Sequence, residues 1–353
     1  MFRRDIEQMT GYVPGEQPRG MKLVKLNTNE NPYPPSPRVV EAIQRAAASG
    51  LQRYPDPAAT AFREAAAEVL REHNAEITPD WILCGNGSDD LLTIATRTFV
   101  DQGQSIRYAR PSYSLYKTLG EIQGVRHDVV PCEPDWSLGF EFTAPASDVR
   151  LAYLANPNSP SGTLLAPGEV AAIADALECP LLVDEAYIDF AETNCLDLVR
   201  TNERVLVTRT FSKSYGLAGL RFGYAVAQPH VIAQLAKVKD SYNCDALSLA
   251  GATAAIADQA WLADNVAKVL LERRRLDEGL QAAGFATTPS HANFVWAIHP
   301  SGEHEAIYQR LKERGVLVRL IRHDGWVGGD DGLRVSVGSP DQTDALLAAL
   351  ASL

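Results

Sequence analysis

One lysine, Lys213, stands in a turn whose residue types suit covalent chemistry with a phosphorylated aldehyde. Ser212 and Ser214 flank it, and Arg221 follows eight residues later. A lysine amine can bond covalently to an aldehyde carbon, while hydroxyls and a guanidinium can hold a phosphate. The apolar run 205–207 leads into the turn and predicts a short buried strand behind the lysine. A surface lysine in a polar turn is the competing interpretation, and the turn alone does not decide between them.

Length and charge exclude several classes of protein. The 353 residues are enough for a large core and predict two domains. A composition of 46% apolar and 22% charged residues is typical of a soluble globular protein. The net charge of −11 argues against nucleic acid or an anionic membrane as the main partner.

Cysteine usage and the N-terminus predict a cytoplasmic protein. The five cysteines are scattered and form no CxxC pair, so we expect reduced thiols. The first residues lack the apolar segment of a signal peptide. The longest uncharged run of small residues, 246–257, is too short to span a bilayer. We also expect no metal, because His299 and His304 lack the HExxH spacing of a zinc site.

Predicted strands alternate with predicted helices from residue 81 to about 225. This alternation predicts a mainly parallel sheet with helices on both faces, and such sheets bind ligands at the carboxyl ends of their strands. Asn156, Asp184 and Tyr187 lie at or just beyond predicted strand ends, as Lys213 does. One polar residue in such a place is usually an ordinary turn, but several after successive apolar runs predict a site. The predicted strands are 81–84, 105–109, 150–155, 180–183 and 205–207.

A helix start offers a second place for a phosphate. Gly85 and Gly87 predict a turn, and Ser88 to Asp90 opens a helix. The free amides and the positive dipole end of a helix N-terminus bind phosphate. The two glycines are not a dinucleotide fingerprint, because no third glycine follows. Taken by itself, the segment is better interpreted as a plain capped helix start.

Together these residues offer a partner to each part of pyridoxal phosphate. Asp184 can pair with the ring nitrogen and keep it protonated, which makes the ring an electron sink. Asn156 and Tyr187 can bond the ring 3-oxygen, and Tyr113 can stack on the ring. Lys213 bonds the aldehyde carbon and, when released, carries the proton. The groups that can take the phosphate are Gly87, Ser88, Asp89, Thr210, Ser212 and Arg221.

The first 37 residues are rich in proline, glycine and asparagine, which excludes a long helix or a central strand there. We expect an extended arm docked on a surface, because Tyr12 and Asn29 are costly choices for a disordered tail. The predicted organisation is an N-terminal arm at 1–30, a large cofactor-binding domain at 49–246, and a smaller α+β domain built from 31–48 and 247–353.

Three motifs resemble those of the fold-type-I, class-II aminotransferases: NPNSPSG, DEAYIDF and TFSKSYGLAGLRFGY. Together with LNTNENPYPPSP, RYPDP and GNGSDD, they are most similar to the histidinol-phosphate aminotransferase family. The resemblance extends from about residue 29 to 338. It implies pyridoxal phosphate as the cofactor and a homodimer with its sites at the subunit boundary. It also implies that Tyr54 of RYPDP reaches the cofactor phosphate of the partner subunit.

The resemblance further implies two substrate arginines, Arg334 in GLRVSVG and Arg319 in VLVRLIR. Histidinol phosphate has no carboxylate, and an arginine pair suits its doubly charged phosphate. Glutamate would bring a carboxylate to the same pair in the other half-reaction. Tyr12 could add a hydroxyl, and Asn29 is placed with these substrate residues. A structural ion pair is the competing interpretation for Arg319.

The sequence departs from the family pattern at two places. Asp90 stands where glutamate is more frequent, and the spacing between Arg319 and Arg334 is longer than usual. The extra residues belong to a glycine- and aspartate-rich loop predicted at 324–332. The longer spacing leaves Arg322 as an alternative to Arg319.

The resemblance implies transfer of an amino group between histidinol phosphate and 2-oxoglutarate in histidine biosynthesis. An aromatic amino-acid aminotransferase and a threonine-phosphate decarboxylase share most of the motifs and stay open as alternatives. A non-enzymatic binding or regulatory protein of the same fold is a further alternative. The intact set that favours an enzyme is Asn156, Asp184, Tyr187, Lys213 and Arg221.

Overall fold

The computed structural model describes residues 1–12, 15–17, 23–72, 76–322 and 331–352, so most of the loop predicted at 324–332 lies outside the described residues. The helices are α1 (Arg4–Gln8), α2 (Pro37–Ala48), α3 (Thr60–Arg71), α4 (Ser88–Phe99), α5 (Leu115–Gln123), α6 (Pro167–Ala176), α7 (Leu198–Thr201), α8 (Pro229–Val238), α9 (Ala246–Ile256), α10 (Gln259–Ala282), α11 (His304–Glu313) and α12 (Pro340–Leu350). The strands are β1 (Val24–Lys25), β2 (Ile82–Gly85), β3 (Ser105–Arg110), β4 (Arg126–Pro131), β5 (Val149–Ala155), β6 (Leu181–Asp184), β7 (Val205–Thr210), β8 (Gly223–Val226), β9 (Ala286–Thr287), β10 (Phe294–Ile298), β11 (Val316–Leu317), β12 (Arg319–Ile321) and β13 (Gly332–Ser336). Within the described ranges, no helix combines the length and apolar character needed to cross a bilayer.

The larger sheet has the strand order β2-β8-β7-β6-β5-β3-β4. Strands β3 to β7 pair in parallel, and β8 is antiparallel to both of its neighbours. The predicted mainly parallel sheet is therefore confirmed. Strands β4 and β8 were not predicted from the sequence. β4 is an edge strand with polar and half-exposed positions, so it lacks the apolar run of a buried strand.

The central strands of this sheet are buried on both faces. Val183 and Val207 belong to one apolar cluster, while Leu182 and Leu206 belong to the other. This alternation follows from the two-residue period of a strand, which sends successive side chains to opposite faces. Helices α3, α6 and α9 contribute to the first cluster, and α4, α5 and α8 contribute to the second. Helices therefore cover both faces, as the alternating pattern predicted.

A smaller, antiparallel sheet of order β12-β13-β10-β9 forms around a third apolar cluster. Helices α10, α11 and α12 supply Val269, Leu311 and Leu346 to this cluster. The short strand β1 pairs in parallel with β11, and the Leu26 amide continues the pairing to the Leu317 carbonyl at 2.7 Å. The end of the N-terminal arm is thus tied to the C-terminal part of the chain.

Helices α2 and α9 pack against each other, and α9 also packs on α3. Val39 of α2 and Ala252 of α9 share an apolar cluster with Phe62 and the strands of the larger sheet. Ser36 caps α2 by accepting a hydrogen bond from the Arg38 amide. The two helices were predicted to belong to the smaller domain, and their contacts here are with the larger core. The domain boundaries stay a prediction.

Candidate active site

A cavity of about 810 Å³ is lined both by residues at the carboxyl ends of the larger sheet's strands and by β12 and β13 of the smaller sheet. Most of the predicted site residues meet there. Those that line it are Tyr12, Asn29, Ser88, Asp89, Tyr113, Asp184, Tyr187, Thr210, Ser212, Lys213, Arg221, Arg319 and Arg334. The predicted residues outside the lining are Tyr54, Gly87 and Asn156.

Lys213 lies in the turn that follows β7, where the sequence predicted it. Its Nζ donates a hydrogen bond to the Thr28 carbonyl at 3.4 Å. The same nitrogen lies 5.5 Å from the centre of the Tyr187 ring. The amine therefore points into the cavity, between the arm segment and the residues that follow β6.

Asp184 ends β6 and is 4% exposed. The Tyr116 hydroxyl donates to its Oδ2 at 3.0 Å, while Oδ1 is buried and accepts no hydrogen bond of good geometry in the described part of the chain. Burial raises the pKa of Asp184 to about 6, against the hydrogen bond from Tyr116, which lowers it. A buried carboxylate oxygen without a donor is costly. The protonated ring nitrogen of the predicted cofactor would supply that donor.

The start of α4 and the turn after Lys213 together form a cradle of donors. Gly87, the residue before α4, has φ +84, and a Cβ there would lie 2.8 Å from Nη2 of Arg221. Nη1 of Arg221 donates to the Ser212 hydroxyl at 3.1 Å, and the Thr210 hydroxyl donates to the same oxygen at 3.1 Å. Nη2 of Arg221 lies 3.3 Å from the Asp89 carboxylate. The guanidinium, hydroxyls and helix N-terminus are the groups that a phosphate prefers.

Tyr113 forms one wall of the cavity. Its hydroxyl donates to Oδ1 of Asp89 at 3.1 Å, and its ring packs edge-on against Tyr116 at 5.6 Å and Tyr12 at 6.3 Å. Burial raises the pKa of Tyr113 well above its usual range, so its hydroxyl stays protonated. The ring is therefore held in place at both ends, as a stacking partner for a flat cofactor needs to be.

Asn29 lies behind Tyr187, and its backbone has φ +55. Its Nδ2 donates to the Tyr187 hydroxyl at 2.9 Å, and its Oδ1 accepts from the Ser336 hydroxyl at 3.0 Å. The Asn29 amide also donates to Ser336 at 2.8 Å. Asn29 was predicted to bind substrate, but its side chain is engaged in orienting Tyr187. Sequence reasoning did not find this role.

Asn156 follows β5 as predicted, but its side chain is turned away from the main cavity. Its Nδ2 donates to the Leu165 carbonyl at 3.0 Å and lies 3.7 Å from Sγ of Cys195, while its Oδ1 accepts from the Leu165 amide at 2.8 Å. The residue lines a separate cavity of about 220 Å³. The predicted bond between Asn156 and the ring 3-oxygen stays a prediction.

Arg319 and Arg334 are directly opposite each other on the antiparallel strands β12 and β13. Nη1 of Arg334 donates to the Ser159 hydroxyl at 3.0 Å, and Nη2 donates to the Asn27 carbonyl at 3.3 Å. Burial lowers the pKa of Arg334, and the charge of Arg319 lowers it further. Like charges directly opposite on neighbouring strands are destabilising, so an anion bound between them would relieve a cost.

The strand register also separates the two alternatives for the second arginine. Arg322 forms ion pairs with Glu305 and, at 3.9 Å, with Asp331. Arg319 is the one that faces Arg334 across the strand pair. The geometry therefore favours Arg319 over Arg322 as its companion.

Tyr54 is 79% exposed and stacks on Tyr242, with ring centres 4.3 Å apart. It does not reach the cavity of its own chain. The unusual Asp90 accepts hydrogen bonds from the Asn86 amide at 2.9 Å and from the Asn243 side chain at 3.0 Å. Asp90 therefore holds the turn before α4 in place.

Sequence reasoning missed two residues that support the site. Tyr116, which orients Asp184, was given no role from the sequence. Ser159 stands within the NPNSPSG motif but was given no role of its own. Both act through contacts across long stretches of chain, which spacing in the sequence does not reveal. In the described part of the chain, no three His, Cys, Asp or Glu side chains come together as a metal site would need.

The comparisons with known proteins agree with this geometry. The family model "Aminotransferase class I and II" matches residues 21–350. A histidinol-phosphate aminotransferase from Rhodopirellula baltica is 55% identical over 346 residues, which cover 98% of this chain and 94% of that protein. Another, from Geobacter sp. (strain M21), is 44% identical over 353 residues, covering 100% of this chain and 98% of that protein.

A solved structure of histidinol-phosphate aminotransferase from Sinorhizobium meliloti, in complex with pyridoxal-5'-phosphate, matches with a TM-score of 0.88. The two chains are 29% identical, and the match covers 99% of this chain and 96% of that one. The predicted fold-type-I architecture is thereby confirmed. The chain belongs to the class I and II aminotransferases and, within them, to the histidinol-phosphate aminotransferase family.

Proposed function

We propose that the chain transfers an amino group between L-histidinol phosphate and 2-oxoglutarate, with pyridoxal phosphate as its cofactor. The products are 3-(imidazol-4-yl)-2-oxopropyl phosphate and L-glutamate, and the reaction belongs to histidine biosynthesis. The observation that carries the proposal is the opposed pair Arg319 and Arg334 in the same cavity as Lys213. The names of the relatives at 55% and 44% identity support it.

The donor set of the cavity fits the cofactor. When bound, pyridoxal phosphate supplies an electron sink for the carbon that loses a proton. Oδ1 of Asp184 would hold a proton at the ring nitrogen, and Tyr116 orients the carboxylate by donating to Oδ2. Tyr113 would cover one face of the ring. The groups that would hold the phosphate are the amides at the start of α4, from Gly87, Ser88 and Asp89, and the side chains of Thr210, Ser212 and Arg221.

Lys213 is the residue that bonds the cofactor and moves the substrate proton. Its amine is within the cavity, and its four-carbon side chain can swing between these two tasks. The Tyr187 hydroxyl, held by Asn29, is the donor for the ring 3-oxygen. For Asn156 to share that role, its amide must exchange its hydrogen bonds with Leu165 for one with the ring.

The arginine pair holds the far end of the substrate. Each guanidinium presents donors in a fork that matches phosphate oxygens, so two of them balance a doubly charged phosphate. In the second half-reaction the same pair takes a carboxylate of glutamate or 2-oxoglutarate. Tyr12, whose ring packs edge-on against that of Tyr113, adds a hydroxyl at the mouth of the cavity.

Alanine variants of the arginines test this assignment. We expect Arg319→Ala and Arg334→Ala each to slow the single-turnover reaction with histidinol phosphate by an amount equivalent to roughly 2–5 kcal/mol, because each leaves a charge without its partner. Arg322→Ala is the matched control, because Arg322 lines the same cavity but forms ion pairs with Glu305 and Asp331. A normal half-reaction in Arg319→Ala would remove the phosphate-binding role from that residue.

We further propose a cytoplasmic homodimer in which Tyr54 donates its hydroxyl to the cofactor phosphate of the partner subunit. The exposure of Tyr54 supports this, because a tyrosine 79% exposed beside an exposed Tyr242 is unusual for a surface without a partner. Losing one hydrogen bond to a charged phosphate costs roughly 1.5–3 kcal/mol. All five cysteines are buried and free, which suits a reducing compartment.

A further inference from the structure

We propose that Asn31 is a positioning residue for Lys213, and the proposal rests on the role assigned to that lysine above. Nδ2 of Asn31 donates to the Lys213 carbonyl at 3.0 Å and to the Ser214 carbonyl at 2.9 Å. Its Oδ1 accepts from the Tyr33 amide at 3.0 Å. Both hydrogens and the oxygen of the Asn31 side chain are therefore in use.

Two successive carbonyls held by one amide fix two successive peptide planes. These two planes flank the Cα of Ser214, and the first of them ends at the Cα of Lys213. The Lys213 backbone is therefore held on its C-terminal side, at the point where its flexible four-carbon side chain begins. The Lys213 Nζ can therefore reach only positions within one side-chain length of a Cα that is held in place. A shift of that point by about 1 Å can cost roughly a hundredfold in rate.

Further contacts also hold the lysine turn in place. The Ser214 hydroxyl donates to Asp189, and the Gly216 amide donates to the Lys213 carbonyl at 3.2 Å. Gly216 has φ +67, and a Cβ there would lie 3.0 Å from the Tyr33 carbonyl. The segment around Asn31 therefore packs directly against the lysine turn, and a side chain at Gly216 would have little room.

The segment that carries Asn31 is itself anchored to the smaller sheet. The Asn29 amide donates to Ser336 of β13, and the Asn293 side chain donates to the Asn29 carbonyl at 3.0 Å. Strand β13 also carries Arg334. Asn31 thus links the lysine turn to β13, the strand proposed to bind the substrate's phosphate. The positions of Lys213 and Arg334 therefore depend on the same set of contacts.

The test compares the holoenzymes of Asn31→Ala, Asn31→Ser and Asn265→Ala with wild type. Asn265 is the matched control because it is buried and anchors the same segment, donating to the Pro34 carbonyl at 3.3 Å without touching the lysine turn. The readouts are the melting temperature, single-turnover rates with histidinol phosphate, and the pH midpoint of the cofactor's visible absorption. That midpoint depends on how the lysine nitrogen is oriented relative to the ring.

We expect Asn31→Ala to slow the half-reaction roughly tenfold or more, with its KM changed by less than about threefold, and to shift the absorption midpoint. Asn31→Ser, which keeps one donor, should fall between the alanine variant and wild type. It also serves as the test if the alanine variant does not fold. Asn265→Ala should lower the melting temperature while leaving the rate and midpoint unchanged.

Wild-type rate and midpoint in both Asn31 variants would overturn the positioning role. So would equal shifts in Asn265→Ala, since the effect would then be general loosening of the segment. A wild-type protein that neither binds pyridoxal phosphate nor reacts with histidinol phosphate would refute the proposed function instead. The two failures are therefore distinguishable.

Discussion

At the scale of single residues, the buried Asp184 carries a cost that a bound cofactor would offset. Burial raises its pKa to about 6 from an ordinary 3.8, even though the Tyr116 hydroxyl and the Ala186 amide act to lower it. Its Oδ1 accepts no hydrogen bond of good geometry in the described part of the chain. Each pKa unit corresponds to about 1.4 kcal/mol, so the ionised group destabilises the fold by about 3 kcal/mol without the cofactor. A positive ring nitrogen would offset this cost.

The pH dependence of apoprotein stability tests that account. Because the folded pKa lies above the unfolded value, the penalty is full above pH 6 and is relieved as the pH falls from 6 towards 4. We expect the Asp184→Asn apoprotein to unfold at higher denaturant concentration than wild type at pH 8, by up to about 3 kcal/mol. The difference should shrink at pH 5. The variant should also lose most amino transfer.

Denaturant titrations of both apoproteins at the two pH values measure this difference. Asp128 offers a matched control, because it is paired with Arg107 at 2.6 Å outside the cavity lining. Asp128→Asn should destabilise the apoprotein at pH 8. Equal stability of wild type and Asp184→Asn at pH 8 would mean that Asp184 carries no such cost.

Single residues were also where sequence reasoning was most informative. Asp184 and Lys213 could be found because each follows an apolar run that predicts a buried strand. Tyr116 could not, because its hydrogen bond to Asp184 joins positions 68 residues apart. Asn31 belongs to the LNTNENPYPPSP segment, but its contact with the lysine turn depends on how the arm folds back over the cavity.

At the scale of elements, pattern predicted the strands but not their register. In the smaller domain the sequence predicts strands at 316–319 and 332–337, yet only the pairing of β12 with β13 brings Arg319 opposite Arg334. A shift of one residue would send the side chain to the other face of the sheet. The sequence therefore left Arg319 and Arg322 as alternatives.

The predicted bounds of helices and strands were accurate where the local sequence pattern was strong and incomplete where it was weak. Helix α10 runs over Gln259–Ala282, whereas the sequence predicts a charged helix only over 272–283. Strand β8 is short and follows directly on the lysine turn, so it was taken as part of that segment. Neither difference moves the site, because the carboxyl ends of β5 and β6 were predicted to within one residue. Strand β7 extends three residues beyond its predicted end, to Thr210, and Lys213 still follows it.

At the scale of the whole molecule, the proposed homodimer would complete each site with Tyr54 from a second copy of the chain. Tyr54 lies outside the lining of its own cavity and is exposed, so its contribution would have to come from the partner subunit. Mixed dimers separate the two possibilities. If Tyr54 acts across the interface, a dimer of Tyr54→Ala with Lys213→Ala contains one site with both residues intact.

We expect co-expression of Tyr54→Ala and Lys213→Ala subunits to restore one site of wild-type cofactor affinity in each mixed dimer. Each variant alone should lack such a site. Cofactor titration of the purified mixed dimer, monitored by visible absorption, gives the number and affinity of sites. Failure to recover a tight site, or full activity in a monomer, would contradict the shared arrangement.

The proposed function requires the cavity to select histidinol phosphate, a phosphorylated amine without a carboxylate. The most direct measurement is a single-turnover comparison of the wild-type holoenzyme with histidinol phosphate, phenylalanine and threonine phosphate, followed through the cofactor's visible absorption. The arginine pair predicts that histidinol phosphate reacts with the highest ratio of rate to dissociation constant, and that 2-oxoglutarate then reverses the change. Faster conversion of phenylalanine, or release of carbon dioxide from threonine phosphate as the main reaction, would contradict it.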